Sequence, residues 1–141
     1  MPDFTPDRAE AGTVNVPGIC GLEAGIRYVQ RLGMPRIFAR EAGQAKKAAA
    51  ALQKLGLPVF AGPHQAGVLS FVTQDCEKTA EALGQMGICL RAGFHCAPLA
   101  HQSAGTLDSG TVRVSFGPEA ADFQTEALTQ GLRRLRNSGR I

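Results

Sequence analysis

Apolar residues recur at helical spacing early in the chain, and the period changes to two after Leu57. Leu22, Ile26 and Val29 predict a helix over 21–32 that closes at Gly33. A second helix is predicted from Pro35 to Leu55. Pro35 suits a first turn, the alanine run at 48–51 favours helix, and Gly56 can cap the end. Pro58 to Phe60 then reads as a short strand and Gly67 to Val72 as a stronger one. Asp75 predicts the N-cap of a third helix that runs to Met86 and stops at Gly87. Ile88 to Arg91 reads as a strand, and 93–110, rich in Gly, Ser, His and Pro, as a long loop. Thr111 to Phe116 alternates, with Val112, Val114 and Phe116 on one face and Arg113 and Ser115 on the other. A last helix is predicted from Glu119 to Arg136. Residues 1–18 show no sustained period and read as an irregular arm before a single domain at 19–141. The order ααββαββα predicts an α+β fold: a small, mostly antiparallel sheet with helices packed on one face.

Composition narrows the class. At 141 residues and 44% hydrophobic content the chain supports one core. The net charge of +3 is small. Arg133, Arg134, Arg136 and Arg140 cluster at the C-terminus, where cations suit a helix end. No aromatic residues are interleaved there for base stacking, which argues against a nucleic-acid surface. The chain has no apolar run of bilayer length and no signal-like start, so no membrane role is expected and the cytoplasm is the default location. Cys20, Cys76, Cys89 and Cys96 are irregularly spaced without C-x-x-C and are expected to be free thiols. Cys20, Cys76 and Cys89 read as small buried hydrophobes or bystanders.

The candidate chemistry lies in Arg91-Ala92-Gly93-Phe94-His95-Cys96-Ala97. Here a thiol stands beside an imidazole, just past an apolar run, with an arginine upstream and a glycine that lets the backbone swing. The nucleophile is the thiolate, so a working cysteine wants positive charge nearby, and His95 and Arg91 can supply it. The competing reading is an exposed, unused thiol, and the local pattern alone holds the two near parity. His95, Cys96 and His101 are also zinc-compatible residue types, but too few ligands stand at a familiar spacing, so no metal is expected. Arg113 sits on the polar face of its strand, where a guanidinium can grip a carboxylate with two parallel bonds. An exposed strand arginine is the plainer alternative. Gly12-Thr13-Val14-Asn15 offers backbone N–H groups and a hydroxyl to a phosphate, although a simple turn explains it as well.

Four segments, in order and spacing, resemble the C-terminal part of class V aminotransferase-family proteins of the cysteine desulfurase and selenocysteine lyase type. They are Glu10 to Ile19, Arg91 to Ala97, Gly105-Thr106-Leu107 and Gly110 to Gly117. The resemblance implies the small C-terminal domain of fold type I pyridoxal phosphate enzymes. It implies that Cys96 is the catalytic cysteine, which attacks the sulfur of a cysteine–pyridoxal phosphate adduct and becomes a persulfide while alanine leaves. Arg113 matches the arginine that binds the substrate carboxylate, and Arg91 and His95 take supporting roles in the substrate loop. Thr13 matches a threonine that reaches the cofactor phosphate of the neighbouring subunit, with Gly12 and Asn15 beside it. A homodimer and a sulfur-acceptor protein are the implied partners.

The departures are as informative. Family members are more than twice this length, and their cofactor-bearing lysine lies in a large domain N-terminal to the segment resembled here. The lysines Lys46, Lys47, Lys54 and Lys78 fall on the second and third helices, none in a His-Lys context. After Gly117 the chain reads Pro118-Glu119-Ala120 where the family has Tyr-Asn-Thr, and Val14 replaces a proline. The expectation is therefore a C-terminal piece of a desulfurase, inactive without its large domain and holding no covalently bound cofactor of its own. The alternatives are a class V lyase or transferase without sulfur transfer, and a free-standing persulfide carrier.

Overall fold

The computed structural model describes residues 3–9 and 12–141. Met1, Pro2, Glu10 and Ala11, which belong to the expected arm, lie outside them. The chain divides into two compact units after Met34, not after residue 18.

In the first unit, a single 3-10 turn at Asp7–Ala9 precedes helix α1, Val16–Leu32. This helix starts five residues before the predicted Gly21, inside the supposed arm. Its signal was the cap: Asn15 Oδ1 accepts from the N–H of Gly18 at 3.1 Å, and Pro17 sits in the first turn. At the other end, the N–H of Gly33 returns to the carbonyl of Val29.

The second unit holds α2 (Met34–Lys54, entered from the boundary), β1 (Val59–Phe60), β2 (Val68–Phe71), α3 (Cys76–Gly84), β3 (Arg91–Gly93), α4 (Pro98–Ala104), β4 (Thr111–Ser115) and α5 (Asp122–Asn137). The sheet order is β1-β2-β4-β3, and all three pairings are antiparallel. Leu69 pairs with Val114 and Phe71 with Val112, so these four side chains share one face. That face carries the core, closed by Ala45, Ala48, Ala49 and Leu52 of α2, Cys76 and Leu83 of α3, and Leu128, Leu132 and Leu135 of α5. Alanines on α2 keep its side chains short where it meets the core. Gln44, buried on the same helix, donates to Asp122 Oδ1 at 2.8 Å and accepts from Thr125 Oγ1 at 3.1 Å, tying α2 to α5.

Two expectations need correction. The strand at 88–91 is displaced to Arg91–Gly93. Ile88 and Leu90 do pack on the core, but as an irregular segment outside the ladder. The long loop at 93–110 contains a helix, α4. Its sequence, PLAHQSA, carries no amphipathic stripe to announce it, only Pro98 at the start and Gly105 in the left-handed conformation (φ 66°) at the end. Among the cysteines, Cys76 is the buried one, whereas Cys20, Cys89 and Cys96 are exposed.

Candidate active site

The site lies on the sheet face opposite the core. Register places Phe60 of β1, Ser70 of β2, Arg113 of β4 and Arg91 of β3 in one row across that face. Arg91 and Arg113 are direct cross-strand partners. Like charges at such positions repel, and neither guanidinium has an ion pair or hydrogen bond among the described residues. The row is a concentration of unspent positive charge, suited to an anion.

Beside it opens a cavity of about 300 Å³, lined from the sheet by Phe60, Ser70, Thr111 and Arg113 and from the 94–106 segment by His95, Ala97 and His101 among others. The segment leaves the sheet at Gly93 (φ 103°) and turns at once. His95 and Cys96 both have positive φ, 51° and 60°, and the N–H of Ala97 donates to the carbonyl of Phe94 at 2.9 Å. The φ signs are those of a type I′ turn. For residues with a Cβ this costs about 1–2 kcal/mol each, and such backbone survives only where its surroundings fix it. It puts Cys96 at the exposed tip.

His95 is fixed from below. Its Nε2 lies 3.2 Å from both the carbonyl oxygen and Oγ1 of Thr111. A carbonyl only accepts, so in the neutral ring Nε2 carries the proton and Nδ1 keeps its lone pair. Nδ1 is buried without a partner, the one buried side-chain polar atom of that kind among the described residues. Burial and then the Arg113 charge hold the imidazole below its ordinary pKa, with the Thr111 carbonyl pulling the other way and His101 and Arg91 adding smaller repulsions.

Of the residues singled out from sequence, Arg113 and His95 meet at the cavity. Cys96 stands between two lining residues without lining it, and Arg91 is Arg113's exposed neighbour at the edge. Gly12, Thr13 and Asn15 belong to the other unit. Thr13 is exposed ahead of α1, Gly12 has φ 84°, and Asn15 spends its oxygen on the helix cap. No group of three or more metal-ligating side chains is found among the described residues. Sequence reasoning missed Thr106, Thr111, Ser70 and Phe60. Register across the sheet brings Phe60, Ser70 and Thr111 to the site, and the chain after α4 brings Thr106.

The four lysines do not fit a site for an aldehyde cofactor. All are exposed on α2 and α3, none lines the cavity, and Lys47 and Lys78 are paired with Asp122 and Asp75. No helix among the described residues is long and apolar enough to cross a membrane.

The fold and site define a class: a small α+β domain with an unpaired arginine on its outer sheet face and an exposed thiol on the adjoining turn. A family model for class-V aminotransferases matches residues 3–128, and the chain belongs to that family. It is 37% identical over 134 residues to a cysteine desulfurase of Synechococcus elongatus, covering 92% of this chain and 21% of that protein. Two solved structures superpose on 94% of it. One is the apo cysteine desulfurase of Thermococcus onnurineus NA1 (TM-score 0.85, 33% identity, 34% of that chain). The other is the cysteine desulfurase CsdA of Escherichia coli, described as an S-sulfonic acid (TM-score 0.83, 29% identity, 33% of that chain). The chain thus spans between about a fifth and a third of these proteins.

Proposed function

We propose that this chain is the sulfur-carrying small domain of a pyridoxal phosphate-dependent cysteine desulfurase, which converts L-cysteine to L-alanine and leaves the sulfur on Cys96 as a persulfide. The observation that carries the reading is the exposed thiol on a strained turn beside a cavity in which Arg113 has no partner. In this reading Arg113 binds the substrate carboxylate, and Arg91 adds positive potential at the rim. His95, neutral with Nε2 tied to Thr111, offers its Nδ1 lone pair to a donor entering the cavity. Gly93, with its positive φ, lets the chain leave the sheet and enter the turn that presents Cys96.

The aldehyde cofactor and its lysine belong, in this proposal, to polypeptide outside the chain, consistent with the share of each relative that is covered. Thr13, with Gly12 and Asn15, is assigned to the cofactor phosphate of a partner subunit in a homodimer. An acceptor protein in the cytoplasm then takes the sulfur.

The test joins this chain to a lysine-bearing large domain and follows alanine release from cysteine. Cys96→Ser is expected to abolish turnover. Arg113→Lys is expected to raise KM for cysteine about tenfold or more, because a point charge does not replace a fork. Undiminished alanine release by Cys96→Ser overturns the sulfur-carrier reading and leaves a class V enzyme without thiol chemistry.

A further inference from the structure

Helix α4 buries one residue, and it is a histidine. Its apolar Leu99 is 76% exposed while His101 is 6% exposed, the reverse of what burial of apolar area selects. A buried imidazole is costly unless its nitrogens are satisfied. Nδ1 of His101 meets Oγ1 of Thr106 at 2.7 Å, and the N–H of Thr106 returns to the carbonyl of His101 at 2.9 Å. Thr106 is itself buried. The two residues form a closed unit within one short stretch of chain.

Against that unit lies the cysteine turn. The Phe94 ring meets the His101 ring edge-on, centroids 5.2 Å apart at 69°. The His95 ring lies 6.1 Å away, tilted by 40°. Phe94 and His95 are the two residues that lead into Cys96. The strand ladder has ended at Gly93, so the turn is held by its own closing hydrogen bond, by His95 on Thr111, and by the His101 ring. Two consecutive left-handed residues need such support.

We propose that His101, locked by Thr106, is a positioning residue: it is the floor on which Phe94 and His95 rest, and it holds Cys96 at the edge of the cavity that Arg113 lines. The inference rests on the proposed function only in what Cys96 is positioned for. The support it describes belongs to the turn itself.

The test uses the 141-residue chain. Amide hydrogen exchange at Ala97 reads the bond that closes the turn. Alkylation of Cys96 by iodoacetate relative to iodoacetamide, resolved by peptide mapping, reads its nearness to the arginines. His101→Ala is expected to speed Ala97 exchange about tenfold or more while the β2–β4 ladder stays protected. It is also expected to lower the iodoacetate preference of Cys96 about threefold, with Cys20 and Cys89 unchanged. If His101→Ala does not fold, Thr106→Val is read in the same way and Thr106→Ser restores wild-type values. Unchanged Ala97 exchange overturns the support, and faster exchange with an unchanged alkylation ratio overturns the positioning role. Should wild-type Cys96 show no more iodoacetate preference than Cys20, positioning at the edge of the cavity that Arg113 lines is overturned and the proposed function loses its anion-binding face. Ala97 exchange then still decides whether His101 supports the turn.

Discussion

Replacing Gly110 by alanine tests how the sheet delivers the cysteine turn. Gly110 has φ 61° immediately before β4, and a Cβ there would stand 3.1 Å from Cα of Gly93 and 3.3 Å from its carbonyl atoms. Those are backbone atoms at the point where β3 gives way to the turn, and they cannot rotate aside. Gly105 supplies the control: its φ is 66°, but a Cβ there meets nothing within 4 Å. Both substitutions incur about 1–2 kcal/mol for a left-handed residue, offset by roughly 0.4–1 kcal/mol of unfolded-state entropy. Gly110→Ala adds an overpacking cost of about 1–2 kcal/mol. The expected losses are about 1 kcal/mol for Gly105→Ala and about 2–3 kcal/mol for Gly110→Ala. With a urea m-value of roughly 2 kcal/mol/M, the midpoints fall by about 0.5 M and about 1–1.5 M. Equal shifts for the two variants would refute the close approach of β3 and β4.

Other outcomes follow from the charges. His95, held below its ordinary pKa by burial and by Arg113, is expected to titrate below about 6.5 by NMR. The unfolded chain binds that proton first, so its contribution to stability is largest above that value and declines as pH falls toward the folded pKa. Arg113→Gln should move the titration part of the way back up, since burial remains. Asp75, whose oxygen accepts from the Lys78 N–H and pairs with its ammonium, and Asp122, bonded to Lys47 and Gln44, both lie below the ordinary carboxylate value. Their stabilisation is full above about pH 4 and is lost as pH falls through the lowered values. Asp75→Ala should lower Tm at neutral pH and flatten the acid limb of the urea midpoint against pH.

What the sequence disclosed follows the strength of each local signal. The alternation of β4 is legible because Val112 and Val114 face a real core and Arg113 faces away from it. Asp75 is legible as a cap because its side chain works locally, accepting from the Lys78 N–H at 2.9 Å and pairing with the same residue's ammonium. Helix α4 was hidden because its buried residue is histidine and its leucine faces solvent. The apolar run at 88–90 misled because packing on a core requires apolar side chains but not a strand partner. At the site, Cys96, His95 and Arg113 stood out by residue type, whereas the left-handed turn arises in residues that carry no glycine-like mark. The juxtaposition of Arg91 with Arg113 is a matter of register, set by pairings that no local stretch of sequence contains.

The central claim is that Cys96 is the sulfur carrier. Its most direct test offers the folded chain a limiting amount of a low-molecular-weight persulfide and locates the added sulfur by peptide mass spectrometry. A persulfide is expected on Cys96 ahead of Cys20 and Cys89, which are exposed too, with the preference lost in Arg91→Gln/Arg113→Gln. Sulfur distributed evenly over the three thiols would contradict it.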